Sequence, residues 1–322
     1  MRWLSHQCTM RAGRFLFAGL EPLTRHRFEH ALAWLVLAAL ERLPRWLARA
    51  LAVSLMMTAW LLVGRFRRIA FRNLALAMPD TDPAERRRIA RRVFVNLGRM
   101  LAEFAHFPHY TRQNVERVIA YDGYENFAAA AARGKGVLYL TGHVGAWELG
   151  AFAQSVYGHP LHVVIRALDN PLLNTLVNHR RTLAGNRIIE KRDFLRGILE
   201  ALHNNEAVGI LMDQNSSEQE GVFVEFFGVP ACTTTGLARI ALKTGAAVVP
   251  AFAFWDPARR RYRLRFDPAL ELVRSGDTQQ DVADDTQLFT RVLEEHIRRL
   301  PDQWLWIHRR WKTRPPGQPP LY

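Results

Sequence analysis

The chain has 322 residues, of which 49% are apolar and 23% charged, and its 44 lysines and arginines outnumber 30 acidic residues to give a net charge of +14. This composition excludes a disordered chain and a polytopic membrane protein, and the length is sufficient for one large or two modest domains. A positive field of this size attracts polyanions, which include nucleic acid, anionic lipid headgroups and acidic carrier proteins.

The N-terminal segment is apolar and is predicted to associate with a membrane. Its longest uninterrupted apolar stretch, residues 50–64, is about 22 Å long as a helix, which is shorter than a bilayer core of about 30 Å. A helical pair lying in one leaflet fits this length better than a tilted single span, and a buried helical hairpin is a further alternative. The basic run "RFRRIAFR" (65–72) is typical of an amphipathic segment that faces anionic headgroups on the cytoplasmic side.

A long amphipathic helix is predicted over 82–107, where Asp82 and Pro83 form a start signal. Strands and helices alternate from about residue 120. The predicted strands are "GVLYLT" (136–141), "LHVVIRA" (161–167), "AVGILMD" (207–213), "AVVPAFAFW" (247–255) and "RYRLRFDPALEL" (261–272), with helices over 170–184, 193–204 and 234–244. This alternation predicts an α/β fold in which a mostly parallel mixed sheet is flanked by helices and preceded by the membrane-associating helical segment.

Three segments are therefore expected: membrane-associating helices over 1–64, one α/β domain over 65–315, and a flexible proline-rich tail over 316–322. Two cysteines, Cys8 and Cys232, give neither a disulfide framework nor metal-ligand spacing, which favours a reducing compartment. No secretory signal is recognisable, because the first apolar region is long, interrupted and without a cleavage site.

The stretch "GHVGAWELG" (142–150) places a histidine in the turn between a predicted strand and a predicted helix. If His143 folds back over the first helical turn, which Gly142 and Gly145 permit, its imidazole can hydrogen-bond to Glu148. The carboxylate would then fix the tautomer and leave the other ring nitrogen free as a general base. The alternative is a histidine that caps the helix, with a solvated glutamate nearby.

Other chemistries lack their motifs in this sequence. The glycine-rich stretch is not G-x-G-x-x-G, no G-x-S-x-G elbow exists for a serine hydrolase, and no Walker A motif is present. The histidines also lack zinc-ligand spacing, so we expect no metal and no bound cofactor.

H-x4-E after a short strand resembles the first motif of the glycerolipid acyltransferase superfamily, and the chain is most similar to the lipid A biosynthesis (lauroyl/myristoyl) acyltransferase family. The ordered blocks that carry this resemblance, from about residue 65 to 315, are "GHVGAWELG", "VVIRALDNPLLN" (163–174), "GILMDQN" (209–215), "FFGVPACTTTGLARIALKTGAAVVPAF" (226–252) and "PDQWLWIHRRWKTRP" (301–315). Ala146 departs from the asparagine of many relatives, which puts one hydrogen bond near the histidine in doubt. The "PEGTR" block of the wider superfamily is absent, which favours a glycolipid acceptor.

The resemblance implies transfer of a fatty acyl group from acyl carrier protein, or from coenzyme A, to a hydroxyl of a lipid A precursor. It implies His143 as the general base and Glu148 as its partner, with backbone N–H groups at the start of the following helix binding the oxyanion. The substrate-binding residues that it suggests are Arg166, Asp213, Asn170 and Gly145. The implied location is the cytoplasmic side of the bacterial inner membrane, as a monotopic or single-pass protein on an anionic surface.

Several alternatives remain open from the sequence. Arg166 could be a strand arginine with a solvated head and Asp213 a turn residue, while the tryptophans of "WLWIHRRW" (304–311) could form core or a lipid–phosphate surface. The acceptor could be another glycolipid or a lysophospholipid. A basic lipid-binding or nucleic-acid-binding protein without catalysis is the alternative from another class, and we expect no nucleic-acid partner because it leaves the His143 block unexplained.

Overall fold

Helices form the N-terminal third of the described chain. The computed structural model describes residues 22–190 and 194–322, so the part of the predicted N-terminal segment before residue 22 lies outside the described residues. The first four helices are α1 (Pro22–Arg42), α2 (Arg45–Leu62), α3 (Gly64–Ala77) and α4 (Pro83–Ala105). The predicted start of the long helix is confirmed: the Asp82 carboxylate accepts a hydrogen bond from the Ala84 N–H at 2.7 Å, and Pro83 occupies the first turn.

Strands and helices alternate through the rest of the chain. In order they are β1 (Ile119–Asp122), α5 (Tyr124–Ala131), β2 (Val137–Thr141), α6 (Trp147–Val156), β3 (Leu161–Ile165), α7 (Pro171–Thr182), β4 (Arg187–Glu190), α8 (Phe194–His203), β5 (Ala207–Leu211), β6 (Gly221–Phe226), β7 (Val229–Thr234), α9 (Gly236–Thr244), β8 (Ala247–Asp256), β9 (Arg261–Phe266) and α10 (Thr278–Arg299). All five predicted strands and all three predicted helices between them are present, with ends shifted by a few residues.

The main sheet has seven strands in the order β1-β9-β8-β2-β5-β3-β4. Every neighbouring pair is parallel except β8 and β9, which are antiparallel. The prediction of a mostly parallel mixed sheet flanked by helices is confirmed. The four strands that were not predicted, β1, β4, β6 and β7, are two short outer strands of this sheet and the separate antiparallel pair β6–β7.

The sheet separates two apolar layers, because alternate residues of its central strand point to opposite faces. Leu138 and Leu140 of β2 pack in one layer with helices α8, α9 and α10, whereas Val137 and Tyr139 pack in the other layer with α5 and α6. The parallel strands β2, β5 and β3 all end at the same edge, where ligands bind in open α/β folds.

Helix α2 packs closely along α4. A Cβ at Gly98 of α4 would lie 2.6 Å from the Val53 Cα, so only glycine allows this approach. Near the same crossing Glu103 is fully buried and accepts hydrogen bonds from Arg45 at 3.1 Å and Arg49 at 2.5 Å, both on α2. The inner side of α2 is therefore held to α4 by both packing and ion pairs.

The outer side of α1 and α2 is apolar and exposed. Of fourteen exposed large apolar side chains in the described residues, ten lie on these two helices. We call this set the apolar face: Leu23, Phe28, Leu32, Trp34, Leu35, Trp46, Leu51, Leu55, Leu61 and Leu62. Only 17% of Arg45–Leu62 is buried, and by length and composition it is the one helix in the described residues that could cross a membrane. An exposed apolar surface of this extent is typical of a protein-binding or membrane-binding site.

Candidate functional site

His143 and Asp213 form the centre of the candidate site. His143 follows the end of β2, Asp213 follows the end of β5, and these neighbouring parallel strands bring both residues to the carboxyl edge of the sheet. The His143 Nδ1 lies 2.8 Å from Asp213 Oδ1, and the His143 backbone N–H donates to Asp213 Oδ2 at 2.9 Å. This approach also needs Gly142, because a Cβ there would lie 3.0 Å from the Asp213 carboxyl carbon.

The Asp213 carboxylate is ionised although its side chain is fully buried. Burial alone would raise the pKa of Asp213, but the His143 imidazole, the nearby His308 and the Trp304 indole together hold that pKa well below its usual range. An ionised carboxylate can only accept hydrogen bonds, so Nδ1 of His143 carries the proton and Nε2 is the acceptor nitrogen, with the Gln214 amide nitrogen 3.3 Å from it. The His143 side chain is 21% exposed, and a ligand that reaches Nε2 displaces the Gln214 amide.

Within residues 22–190 and 194–322 no hydrogen bond joins Glu148 to His143, contrary to the one predicted from their spacing. Its carboxylate forms a two-point ion pair with Arg181 of α7, with Oε1–Nη2 at 2.5 Å and Oε2–Nε at 2.9 Å. The reason is positional: Glu148 lies in the first turn of α6 beside α7, whereas His143 lies before the helix and hydrogen-bonds to the residue that follows β5. A planar guanidinium fork suits a carboxylate better than a single imidazole N–H does.

Arg166 and Asn170, both predicted to bind substrate, lie in different environments. Arg166 is exposed immediately after β3, at the same sheet edge as His143. Asn170 is buried and caps α7: its Oδ1 accepts from the N–H groups of Leu172 and Leu173. Its amide nitrogen donates to the His26 carbonyl and to Glu29, both at 3.0 Å, so the amide has no free donor or acceptor for a ligand. Asn170 thus joins α1 to α7.

Gly145, also predicted to bind substrate, holds the turn after His143 against β8. Its φ is +63°, and a Cβ there would lie 2.0 Å from the Ala253 carbonyl oxygen. The backbone N–H groups of Gly145 and Ala146 are already bonded to the carbonyls of Gln303 and Ala253. By contrast, in the described residues the N–H groups of Trp147 to Leu149, in the first turn of α6, have no hydrogen-bond acceptor.

Residues 303–313, which we call the C-terminal strap, lie beneath the site. Trp304 donates its indole N–H to Asp213 Oδ2 at 2.7 Å, and the Leu305 N–H donates to the His143 carbonyl at 3.1 Å. The three tryptophans of the strap, Trp304, Trp306 and Trp311, are fully buried, which decides the open question in favour of core. Arg310 is also buried and donates to the carbonyls of Gln214 and Cys232 and to the Thr233 hydroxyl.

Two residues of the site, Arg181 and Trp304, were not assigned from the sequence. Arg181 stands beside Arg180 in "HRRT", and no local pattern separates the arginine that binds Glu148 from the one that binds Glu41. Trp304 was noted only as an ambiguous aromatic residue. Residues 22–190 and 194–322 hold no group of three His, Cys, Asp or Glu side chains arranged to bind a metal ion.

The cavities also bear on the site. A cavity of about 240 Å³ is lined by the first residues of β2, β3 and β5, including Val137, Leu161 and Ala207, and therefore lies at the edge opposite His143. Beside the site itself, Gly145, Trp147 and Trp304 border a cavity of only about 10 Å³. The candidate site is therefore located from the side chains at the sheet edge, because the larger cavity lies at the opposite edge.

The comparisons with known proteins all identify the same family. The model of the bacterial lipid A biosynthesis acyltransferases matches residues 22–313. The chain is 30% identical over 295 residues to the lipid A biosynthesis lauroyltransferase of Escherichia coli K12, covering 90% of this chain and 94% of that protein. It is 30% identical over 255 residues to the palmitoleoyltransferase of the same organism, covering 79% and 81% of the two chains. The myristoyltransferase of that organism is 24% identical over 255 residues, covering 78% and 77%.

Proposed function

The chain belongs to the bacterial lipid A biosynthesis acyltransferase family and is an O-acyltransferase, and from this premise we propose its substrates and its catalytic residues. The acyl donor is acyl carrier protein, or acyl coenzyme A, and the acceptor is a hydroxyl of a lipid A precursor. The net charge of +14 supports both choices, because the carrier protein is acidic and the precursor carries phosphates. No cofactor is needed for this transfer.

The observation that carries the proposal is the bond between buried, ionised Asp213 and Nδ1 of a partly exposed His143. In the proposed reaction His143 Nε2 takes the proton of the acceptor hydroxyl while that oxygen bonds to the thioester carbonyl carbon. The C–S bond then breaks, and the imidazolium returns the proton to the departing thiolate. Asp213 fixes the tautomer and stabilises the imidazolium. Proton transfer of this kind contributes about 10²–10⁴-fold to a rate.

Glu148 remains a proposed site residue, but it acts through Arg181. The ion pair holds a guanidinium at the start of α6, beside the N–H groups of Trp147 to Leu149 that lack acceptors in the described residues. Positive charge and free N–H groups at a helix start both stabilise a developing oxyanion or bind a phosphate. Arg166, exposed at the same sheet edge, is proposed to contact the acidic part of a substrate.

The proposed location is the cytoplasmic face of the inner membrane, with the apolar face in the bilayer. Helix α2 has 18 residues and is therefore about 27 Å long, close to the thickness of a bilayer core. However, its inner side packs on α4 and pairs with the buried carboxylate of Glu103. Lipid cannot surround a helix held in this way, so we propose that α1 and α2 lie along the surface as a monotopic anchor.

The activity test uses the purified full-length protein with acyl carrier protein and coenzyme A thioesters as donors. The acceptors are a lipid A precursor, a mannosylated phospholipid and a lysophosphatidate, with products identified by mass spectrometry. We expect acylation of the lipid A precursor at a rate that falls as salt rises. A product on lysophosphatidate alone would overturn the acceptor, and free fatty acid as the sole product would point to a thioesterase and overturn the transferase.

The catalytic test compares three substitutions in the site with one control substitution outside it. His143→Ala should lower kcat by at least about 10²–10⁴-fold, whereas His203→Ala, an exposed histidine at the opposite edge of the sheet, should leave it unchanged. Asp213→Asn should lower kcat and alter the pH profile, while Glu148→Gln should lower the rate without moving the profile. Near-normal transfer by folded His143→Ala protein contradicts the general-base role.

A further inference from the structure

Trp304 makes the third hydrogen bond to the Asp213 carboxylate. Its indole N–H lies 2.7 Å from Oδ2, the same oxygen that accepts the His143 backbone N–H at 2.9 Å. The second oxygen, Oδ1, is thereby left to face Nδ1 of the imidazole at 2.8 Å. The two donors on Oδ2 determine which way the carboxylate plane turns, and so they set the direction from which Asp213 reaches the ring.

An indole is suited to this position because it donates one hydrogen bond and neither accepts one nor titrates. The ring itself is enclosed by other side chains: it is fully buried and lies edge-on to Phe226, Trp306 and His308, with centroid distances of 5.4, 4.6 and 5.3 Å. A donor held this firmly restrains the carboxylate more than a flexible side chain would.

The backbone around Trp304 also holds the histidine. Trp304 pairs with Val144 in an antiparallel bridge, and the next residue, Leu305, donates its N–H to the His143 carbonyl at 3.1 Å. One residue earlier, the Gln303 carbonyl accepts the Gly145 N–H at 2.7 Å. The strap therefore contacts both members of the His143–Asp213 pair, through an indole on one side and through backbone on the other.

We propose that Trp304 is a positioning residue of the acyl transfer: through Asp213, its indole N–H sets the orientation and the proton affinity of the His143 imidazole. This inference rests on the function proposed above, in which His143 is the general base. Under this proposal the C-terminal strap contributes to the reaction in addition to packing in the core.

The electrostatic consequence has a definite sign. The charged and titratable groups that act on Asp213 are His143 after β2 and, in the strap, His308 and Arg310. The indole N–H withdraws negative charge from the carboxylate, so its removal leaves a carboxylate that holds a protonated imidazole more strongly. Because the reaction needs the neutral ring, activity should then be lost at a higher pH as the solution is acidified.

The experiment compares the same substitution at three fully buried tryptophans of the strap. Trp304→Phe removes the bond to Asp213. Trp306→Phe removes a bond of 2.6 Å to the Pro301 carbonyl, and Trp311→Phe removes an indole N–H that has no partner in the described residues. For Trp304→Phe we expect kcat to fall about tenfold to a hundredfold, KM to change little, and the acidic limb of the kcat/KM profile to move to higher pH. Neither control should move that limb.

A second variant covers the case in which Trp304→Phe does not fold. Benzothienylalanine at position 304 keeps the bicyclic ring and replaces only the N–H with sulfur, so it should reproduce the shift of the acidic limb. Equal losses in all three phenylalanine variants with an unmoved profile would overturn the proposal and leave Trp304 a packing residue. If His143→Ala remains active, the general-base function itself fails, which distinguishes that failure from the failure of this inference.

Discussion

The helical pair α1–α2 and the C-terminal strap each carry three tryptophans together with arginines, yet they lie in opposite environments. Trp46 on α2 is 71% exposed, whereas Trp304 in the strap is fully buried. The difference lies in what the rest of the fold offers to each segment. The strap finds acceptors for two of its three indoles and for Arg310, while the apolar face of the helical pair has no protein surface against it in the described residues.

The comparison teaches that composition alone does not identify a lipid-facing segment. A tryptophan in the core must satisfy its indole N–H or lose free energy, and the strap satisfies two of its three within the fold. The helical pair directs its ionic groups inward instead, where Arg45 and Arg49 meet Glu103. Its outer side thus carries apolar residues with few charges, the arrangement that a bilayer stabilises.

The two regions should differ most in how much the free energy of unfolding changes when an arginine is removed. Arg310→Met leaves three acceptors without their donor, two of them buried, and removes a cation near Asp213, so we expect unfolding to become easier by about 3–5 kcal/mol. Arg27→Met, on the exposed side of α1, should change stability by less than about 0.5 kcal/mol. Thermal melting in detergent measures both, and equal effects would show that the strap is not held by its buried polar contacts.

A smaller, pH-dependent effect is expected from His308. Burial lowers the pKa of this strap histidine from 6.5 to about 4, and its Nδ1 donates to the Leu305 carbonyl. Between pH 6.5 and about 4 the unfolded chain binds a proton at this histidine that the folded chain does not. The free energy of unfolding therefore falls as the pH falls through this range, by at most about 3 kcal/mol.

His308→Asn keeps a donor near the Nδ1 position and should remove most of that pH dependence. Urea unfolding at pH 7.5, 6 and 4.5 makes the comparison, with His203→Asn as the exposed control. Identical slopes for wild type and His308→Asn would refute the assignment of the window to this residue. Asp213, whose pKa is lowered, loses its stabilising effect only at lower pH, below its ordinary value.

The smallest effect concerns the helical pair. Leu55 is 43% exposed on the apolar face, so Leu55→Ser should leave the melting temperature nearly unchanged and weaken liposome binding by about 1.5–3 kcal/mol if the side chain enters the bilayer. Flotation with anionic and zwitterionic liposomes over a range of salt measures the binding, and duplex DNA serves as the competing polyanion. Unaltered flotation, or tighter binding to DNA than to anionic liposomes, would argue against a membrane anchor.

The sheet and its flanking helices could be predicted because apolar runs and helical periodicity are local patterns. Only part of the candidate site could be predicted from such local patterns. The placement of Asp213 at the carboxyl edge followed from its position after a strand, but its contact with His143 depends on β2 lying beside β5, which no local spacing records. Glu148 is nearer in sequence and was therefore predicted as the partner, although the fold pairs it with Arg181.

The short strands were missed for a related reason. β1 and β4 have four residues each, too few for an alternating pattern to stand out from the adjoining loops. In β6–β7 the two-residue turn is made by Phe227 and Gly228, both with positive φ, and a phenylalanine is not a usual signal for such a turn.

The two glycines near His143, Gly142 and Gly145, limit how this stretch of sequence can change during evolution. A side chain at position 142 would press on the Asp213 carboxyl group, and one at position 145 would overlap the Ala253 carbonyl, whatever reaction the protein performs. A descendant that exchanged His143 for an inert residue would still be strained by a larger residue at position 145, and it would have to shift the Asp213 side chain to accept one at position 142. The sequence motif around this histidine therefore depends on the packing of two strand ends as well as on catalysis. An inactive relative would keep most of the same motif.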